Sequence, residues 1–444
     1  MQPSEYAAFK RALETYTADP EWRTAFTKNP VGALEDFPSL DAYDAYKAIG
    51  IVLGEAPRDD ENPYYAEYLR RYRAVGDFIE TSFREEAFTD KRLYRFGRIA
   101  LRRAQVGNRC FRAMPHIRYF PVLFELSDGC RQGCSFCGLA APGWRSDFLA
   151  TAENRRLWRA VLAATCEKIG AIVSQCACYF ATEPLDNPDY EVLLADFHEI
   201  TGDYPQTTTV RGSAEPDRLR AFMKQLGSKR LHLAGLRFSV RTLAEFRRLT
   251  ALYTPEELAD VELLLNNPES LTSYSASGRA REMNLPPGKR TRRYSISCLA
   301  GFLVNMARQT VAFTEPVIPD AKCPTGVRIY EERSFADACG FQAILEEMAA
   351  RYAHGRINAA PRVALCEEVS VSREGNITTF CGDGMSFHMG GNLLFQKAVS
   401  LIREKPSSLP ELFDALQISA FVGADMVEKF QLLYEKGYLR MVYG

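Results

Sequence analysis

The sequence predicts an α/β fold, a barrel or partial barrel of β/α units between residues 121 and 318. From Pro121 onward, short apolar runs alternate with segments of helical periodicity, the pattern of parallel β/α units. Before Pro121 the chain shows helical periodicity only, and after about Pro319 a helix pattern is followed by a hairpin candidate around Gly375 and by terminal helices. A helical N-terminal part and an α+β C-terminal part are therefore expected on either side of the barrel.

The composition excludes several classes of protein. The 444 residues are 46% hydrophobic and 25% charged, which provides a large core and argues against disorder. The 55 Lys and Arg balance 56 Asp and Glu, so no basic field favours nucleic acid or an anionic membrane. The start of the chain has no signal-peptide pattern, and no apolar run approaches the length of a membrane span. The sequence predicts a soluble, cytoplasmic protein without a nucleic-acid or membrane partner.

Four regions follow along the chain. Residues 1–54 are expected to form a small helical domain, 55–120 a helical linker, 121–318 the barrel and 319–444 the α+β region. In the first region, Asp19-Pro20 and Asn29-Pro30 each place a capping residue before a proline suited to the first helical turn.

The barrel region divides into alternating elements. The predicted strands are 122–126, 178–182, 207–211, 236–241 and 261–265, and the predicted helices are 153–169, 190–200, 216–226 and 242–252. After a loop rich in Pro and Arg at 285–293, the runs 302–305 and 310–313 are expected to close the sheet. In such a fold the chemistry lies at the carboxyl ends of the parallel strands.

The most informative segment follows the first predicted strand. Cys130, Cys134 and Cys137 form the pattern C-x3-C-x2-C within residues 130–141, which we call the cysteine loop. Twelve cysteines are too dilute for a disulfide scaffold, so this cluster indicates metal chemistry. A four-iron cluster with three cysteine ligands leaves one iron open to a small chelating molecule. A structural zinc site is the alternative, but it usually needs a fourth ligand, and no second pair of cysteines follows at finger spacing.

This spacing resembles that of the radical S-adenosylmethionine (SAM) superfamily, with Phe136 as the aromatic residue before the third cysteine. The resemblance implies a partial (β/α)6 TIM-type barrel, a [4Fe-4S] cluster and SAM as cofactors, and an electron donor such as flavodoxin or ferredoxin. In that superfamily the methionyl amine and carboxylate of SAM chelate the open iron, and the reduced cluster cleaves SAM to a 5′-deoxyadenosyl radical.

The resemblance also implies SAM contacts at the ends of the next strands. Where the superfamily usually has Gly-Gly-Glu, this chain has Ala181, Thr182 and Glu183. Glu183 matches the acid that contacts the methionyl amine. The two glycines are absent, but the carbonyl groups of Ala181 and Thr182 remain hydrogen-bond acceptors.

A second set of candidates lies on the fourth predicted strand. Arg237, Ser239 and Arg241 alternate and so share one face. If that face lines the barrel, Ser239 suits a ribose hydroxyl and an arginine suits the SAM carboxylate; otherwise the arginines are surface residues. Arg211, at the end of the third strand, is a similar candidate.

Longer sequence words resemble one branch of the superfamily. FELSDGC at 124–130, TEPLDNPDY at 182–190, RFSV at 237–240 and SGRAR at 277–281 are similar to the radical SAM peptide epimerases of the polytheonamide type. The resemblance covers roughly residues 95–315. It implies an isomerase that converts L-residues of a ribosomally made precursor peptide (RiPP) to D-residues, with that precursor and its leader as partner. Residues 9–40 are themselves similar to such a leader, and the alternative is that they form a helical support for the barrel.

The same resemblance implies a cysteine in the C-terminal part that returns a hydrogen atom. The donor must be a neutral thiol, so an apolar, shielded site is expected. Cys366, after the apolar run 363–365, is the first candidate, Cys381 the second and Cys323 the third.

Two other functions stay open. The segment 366–381 faintly resembles the start of an auxiliary-cluster extension, which suggests a radical SAM maturase that forms a cross-link or another oxidised product, with Cys323, Cys339, Cys366 and Cys381 as conceivable ligands. Alternatively the chain is a non-catalytic protein that binds a leader peptide, and its cysteine loop is structural. About four irons per chain fits the epimerase, about eight the auxiliary-cluster enzyme and none the binding protein.

Overall fold

The computed structural model describes residues 1–108, 118–285, 291–357 and 361–443. Part of the predicted loop at 285–293 lies outside these residues. No helix in the described ranges is both long and apolar enough to cross a membrane.

Helices make up most of the first hundred residues and recur between the strands. They are α1 (Pro3–Ala18), α2 (Pro20–Lys28), α3 (Pro30–Ala33), α4 (Ala42–Leu53), α5 (Pro63–Ser82), α6 (Lys91–Gly107), α7 (Ala152–Ile169), α8 (Tyr190–Thr201), α9 (Pro216–His232), α10 (Leu243–Leu252), α11 (Ala338–Tyr352), α12 (Leu393–Glu404), α13 (Leu409–Leu416) and α14 (Ala420–Glu435).

The strands begin at Phe120. They are β1 (Phe120–Glu125), β2 (Ser127–Asp128), β3 (Ser146–Asp147), β4 (Thr207–Thr209), β5 (Leu236–Val240), β6 (Glu262–Leu265), β7 (Tyr274–Ser275), β8 (Thr291–Arg292), β9 (Leu299–Asn305), β10 (Thr310–Pro316), β11 (Val327–Ser334), β12 (Arg362–Leu365), β13 (Ser370–Glu374), β14 (Ile377–Cys381), β15 (Ser386–Gly390) and β16 (Leu439–Val442).

Two sheets form the middle of the molecule. One has the order β1-β9-β10-β11, in which β9 runs parallel to β1 and β10 antiparallel to β9. The other is the parallel sheet β4-β5-β6. The segment around Ala177 links them, because Ala177 accepts from the Phe124 N–H and forms a parallel bridge with Gln206. Hydrogen bonding among the described strands does not close into a barrel, so the partial barrel remains a prediction.

The predicted strand at 178–182 is wrong, because this stretch contains no regular strand. The Glu125 carboxylate accepts a hydrogen bond from the Ala181 N–H, at 2.7 Å, which takes a donor that a sheet neighbour would otherwise bind. A short 3-10 turn then begins at Pro184. The chain therefore leaves the sheet after Ala177 and forms a loop beside the end of β1.

The N-terminal helices form their own apolar cluster and pack against the β4-β5-β6 unit. Phe9 and Phe26 lie in that cluster. Arg11 donates to the carbonyl groups of Thr250 and Tyr253, and Lys10 to those of residues 258 and 261. These bonds fix α1 to the last turn of α10 and to the residues that follow it.

Residues 361–443 form two small sheets and three helices. β12 pairs with β16, and β13-β14-β15 form an antiparallel meander that contains the predicted turn at Gly375. Phe380 and Phe387 pack against Tyr438 and so join the meander to β16. This unit has its own apolar cluster, separate from the core under β1.

Candidate metal and cofactor site

The cysteine loop follows the carboxyl end of β1, after the two residues of β2. Cys130 forms a bridge with Gly143, and its N–H donates to the Pro142 carbonyl at 2.9 Å. Gly129 makes this return possible: its φ is +80°, and a Cβ there would lie 2.3 Å from the Gly143 carbonyl oxygen. The loop thus folds back on itself and presents its cysteines from one side of the sheet.

The three thiols share one partly buried environment. Burial raises the pKa of Cys130, and it raises that of Cys134 to about 11, where the Arg241 guanidinium opposes the effect. The three sulfur atoms are close enough to interact electrostatically. Backbone N–H groups of Gln132 and Ala141 point at the Sγ atoms of Cys130 and Cys137, each at 3.5 Å.

Thiolates are ligands both of zinc and of iron–sulfur clusters, and the two differ in how far apart the sulfur atoms lie. Among the described residues, no three His, Cys, Asp or Glu side chains are positioned to hold one ion. A single zinc ion binds thiolates at about 2.3 Å, so its ligand sulfurs lie roughly 4 Å apart. Each thiolate of a cluster binds a different iron, so cluster ligands lie farther apart, and N–H groups directed at their sulfurs stabilise the charge.

The segment that follows Ala177 contacts the cysteine loop through Asp186. The Asp186 carboxylate accepts from the Arg131 N–H at 3.2 Å and from Gln132 Nε2 at 2.8 Å. Arg211 lies 3.7 Å from the same carboxylate and also pairs with Glu215. Sequence reasoning named Arg211 but missed Asp186, although Asp186 lies within the word TEPLDNPDY.

Glu183 is almost fully buried beside this loop. Its carboxylate accepts from the hydroxyl of Thr209, the N–H of Val210 at 2.9 Å and the N–H of Leu185 at 3.2 Å. Burial nevertheless raises its pKa to about 7. The carboxyl is close enough to Cys130 and Cys134 to affect their pKa values. The structure thus brings Glu183 next to the cysteine loop.

Ala181 and Thr182 lie half-buried in the same segment. Glu125, the last residue of β1, binds the Ala181 N–H with one carboxylate oxygen and Asn305 Nδ2 with the other, at 3.0 Å. Glu125 therefore joins β1, β9 and the segment at 181–183. Sequence reasoning missed this role, since nothing in the word FELSDGC separates a structural glutamate from a ligand.

The polar residues of β5 do share one face. Leu236, Phe238 and Val240 are buried in the core, whereas Arg237, Ser239 and Arg241 on the other face are half-buried. This face extends towards the cysteine loop.

The two arginines of that face have different partners. Arg241 binds Glu245 and reaches Gln132 of the cysteine loop at 3.4 Å. Arg237 donates to Thr208 at 2.9 Å and to Tyr179 at 2.7 Å. Of the two arginines on this face of β5, it is therefore Arg241 that contacts the cysteine loop directly.

Phe136 stacks on Tyr274, with ring centroids 6.3 Å apart and planes 7° apart. This contact ties the residue before Cys137 to β7, close to the word SGRAR.

Cys366 lies near the amino end of β1, whereas the cysteine loop follows the carboxyl end of that strand. It is buried after β12, and its thiol lies 3.6 Å from the Gly437 carbonyl oxygen. Burial raises its pKa to about 12. The thiol lines a cavity of about 50 Å³, together with Tyr119, Arg103 and Glu315. Such a cavity has room for a few water molecules.

The other C-terminal cysteines lie on separate elements. Cys381 is the last residue of β14 and is half-buried, Cys323 lies in a turn between β10 and β11, and Cys339 is exposed at the start of α11. Within the described ranges they form no group able to hold a metal ion.

Cys298 is a candidate that sequence reasoning missed. Its thiol is open to solvent, yet burial raises its pKa and the Arg237 guanidinium opposes that rise. Ile296, two residues earlier, lies beside Gly138 of the cysteine loop, where a Cβ would come within 2.9 Å of it. Only the fold could reveal this, because no motif surrounds Cys298.

The chain is similar to the uncharacterized protein y4wI of Sinorhizobium fredii. The two are 32% identical over 366 residues, which covers 76% of this chain and 69% of that protein. No family model matches the chain. No solved structure matches it either.

Proposed function

The chain belongs to the family of the uncharacterized protein y4wI, and we propose that it is a radical SAM enzyme that epimerises residues of a ribosomally made precursor peptide. One observation carries this proposal. The thiols of Cys130, Cys134 and Cys137 share one loop at the carboxyl end of a β1 strand, beside the buried Glu183 and the polar face of β5. Three thiolates on a four-iron cluster leave one iron for SAM.

The proposal assigns a role to each of several predicted SAM contacts near the cysteine loop. Glu183 accepts a hydrogen bond from the methionyl amine, and the backbone of Ala181 and Thr182 lines the approach to it. Arg241, which already contacts Gln132, suits the SAM carboxylate. Ser239 suits a ribose hydroxyl. When bound and reduced, the cluster supplies the electron that cleaves SAM to methionine and a 5′-deoxyadenosyl radical.

The change of configuration then needs two hydrogen-atom transfers. The 5′-deoxyadenosyl radical takes the hydrogen from a peptide α-carbon and becomes 5′-deoxyadenosine. A cysteine thiol returns a hydrogen atom to the opposite face, which gives the D-residue and leaves a sulfur radical on the cysteine. One electron and one proton from the flavodoxin or ferredoxin donor restore the thiol. Cys366 is the first candidate for this thiol, since its raised pKa keeps its S–H hydrogen. No residue of the cysteine loop lines its cavity, so Cys298 and Cys381 are tested beside it as donors.

The test begins with the cluster. Anaerobically reconstituted protein should bind about four irons and, once reduced, convert SAM to 5′-deoxyadenosine. Replacement of Cys130, Cys134 and Cys137 together by alanine should abolish both. Persistence of the cluster or of SAM cleavage in that variant contradicts the proposal, and about eight irons in the wild-type protein favours the auxiliary-cluster enzyme.

The second part of the test concerns the product. With a precursor peptide encoded beside the gene as substrate and D2O as solvent, each epimerised residue should gain about one mass unit, because a thiol hydrogen exchanges with solvent. Chiral analysis of the hydrolysed peptide should find D-residues at the labelled positions. A product that has lost two hydrogens, or that contains a new linkage, supports the oxidative function instead.

A further inference from the structure

Arg279 forms hydrogen bonds with the cysteine loop at residues that follow those bound by Asp186. Arg279 Nε donates to the Cys134 carbonyl at 2.9 Å, and Arg279 Nη1 donates to the Ala141 carbonyl at 2.8 Å. Its backbone N–H donates to the Cys137 carbonyl at 3.0 Å. One residue thus bonds two of the three cysteines and the end of the loop.

The backbone beside Arg279 is fitted to the same loop. Gly278 has φ +51°, and a Cβ there would lie 2.4 Å from the Gly138 carbonyl oxygen and 2.5 Å from that of Cys137. Gly138 is packed just as closely from the other side, since a Cβ on it would lie 2.6 Å from Ser277 Oγ. Two glycines therefore allow two backbones to touch, and the contact leaves the loop little freedom to move.

The charges near the loop also differ between its two arginines. Arg241 binds the Glu245 carboxylate, which offsets its positive charge. The Arg279 guanidinium instead donates to neutral carbonyl oxygens of the loop itself. Arg279 therefore acts on the backbone of the loop, whereas Arg241 is the cation whose charge acts on the Cys134 thiol.

We propose that Arg279 is a positioning residue of the cluster site: it fixes the cysteine loop between Cys134 and Ala141 in the conformation that binds iron. The inference rests on the proposed function, because it assigns the loop to a cluster. It adds a second segment, the SGRAR word, to a site that the cysteine motif alone defines.

The experiment compares Arg279→Gln and Arg279→Lys with Arg281→Gln. Arg281 lies in the same short turn but is exposed and, among the described residues, donates to the Asp320 carbonyl at 3.3 Å rather than to the cysteine loop, so its variant is a matched control. Hydrogen exchange of amides 130–141 in the cluster-free protein measures how firmly the loop is held. Iron and sulfide content, and the electron paramagnetic resonance spectrum of the reduced protein, measure the cluster.

Arg279→Gln should exchange these amides about tenfold faster, as expected when two hydrogen bonds that hold a loop are lost. After reconstitution it should retain less iron than the wild type, with an altered spectrum. Arg279→Lys keeps the charge but not the paired donors, so it should fall between the wild type and Arg279→Gln. Arg281→Gln should match the wild type in every measurement.

The outcomes separate this inference from the proposed function. If the wild type binds a cluster and Arg279→Gln shows unchanged exchange, iron content and spectrum, the role of Arg279 is wrong and the proposed function stands. If the wild type binds no cluster, the proposed function is wrong, and with it the assignment of Arg279 to a cluster site. Circular dichroism of each cluster-free variant shows whether the fold is retained.

Discussion

The two ends of β1 place cysteine in opposite surroundings. At the carboxyl end, three thiols share a partly exposed loop, and backbone N–H groups point at two of the sulfur atoms. Near the amino end, Cys366 is buried beside an ion cluster of Arg103, Glu315 and Arg328. Cysteine therefore occupies two different electrostatic environments in this chain.

The difference follows from what each reaction requires of sulfur. A cluster ligand must be a thiolate, so it needs nearby donors, cations and access for iron. A hydrogen-atom donor must keep its proton, and burial that raises the pKa of Cys366 to about 12 keeps it protonated near neutral pH. Sequence spacing identifies the three cysteines of the loop, and the apolar run at 363–365 predicts the buried site in which the structure places Cys366.

The largest expected effect tests whether the amino end supplies the hydrogen atom. Cys366→Ala should reduce D-residue formation to background, because no thiol then returns hydrogen to the α-carbon. Iron content and 5′-deoxyadenosine formation should stay at the wild-type level, because the cysteine loop lies at the other end of β1. Chiral amino-acid analysis and 5′-deoxyadenosine quantification check this together.

Cys298→Ala and Cys381→Ala are the matched comparisons. Cys298 directly precedes β9, where its carbonyl accepts from the Phe120 N–H, and its exposed thiol is close enough to Arg237 on the polar face of β5 to interact with it electrostatically. Loss of D-residues in Cys298→Ala, with normal activity in Cys366→Ala, would make Cys298 the donor and leave it at the amino end of β1. Loss in Cys381→Ala alone would move it to β14.

Much of the fold follows from local sequence pattern. The helices at 152–169, 190–201 and 243–252 end within about one residue of their predicted limits, because apolar periodicity, caps and prolines fix helix limits locally. The helix that starts at Pro216 continues to His232, past the predicted end at 226, across a non-helical Gly227. The strand predicted at 178–182 fails because a distant side chain, Glu125, binds its backbone.

Part of the candidate site could likewise be predicted from local sequence, and part of it could not. Cys130, Cys134 and Cys137 were found because a metal motif places its ligands within a few residues of one another. Asp186 and Arg279 hold the cysteine loop from distant parts of the chain, 54 and 145 residues away from the loop residues that they bind. No local pattern encodes such a contact, so these two residues required the structure.

The second largest expected effect tests the ion cluster of Arg103, Glu315 and Arg328 beside Cys366. Glu315 is 2% exposed, pairs with Arg103 and accepts from the Tyr330 hydroxyl. Glu315→Ala leaves the Arg103 charge buried without its carboxylate, so we expect the free energy of unfolding to fall by about 3–5 kcal/mol. Urea denaturation followed by tryptophan fluorescence measures the change.

Glu332→Ala is the control for that change. Glu332 lies on the neighbouring strand β11 and pairs with Arg308 at the surface, where it is 39% exposed. An exposed pair contributes at most about 1 kcal/mol. Iron content should be normal in both variants, because the ion cluster and the cysteine loop lie at opposite ends of β1. A cluster lost in Glu315→Ala alone would show that the two ends depend on each other.

The smallest expected effect is on SAM affinity and concerns Glu183, which lies beside the cysteine loop at the carboxyl end of β1. Burial raises the pKa of its carboxyl to about 7. Because this value lies above the usual one for glutamate, the protonated carboxyl stabilises the fold, and that contribution is lost as the pH rises through about 7. SAM binding should change in the opposite direction, since only the ionised carboxylate accepts with both oxygens from the methionyl amine.

The ionised fraction of Glu183 rises from about one tenth at pH 6 to about nine tenths at pH 8, so SAM affinity should increase up to about tenfold over this range. Glu183→Gln should bind SAM weakly at both pH values and show no such rise. Glu199→Gln is the control, because the Arg159 guanidinium lowers the pKa of Glu199 and keeps it ionised throughout. Equilibrium dialysis with labelled SAM under anaerobic conditions measures the affinity. A rise that persists in Glu183→Gln would mean that another group at this end of β1 controls the binding of SAM.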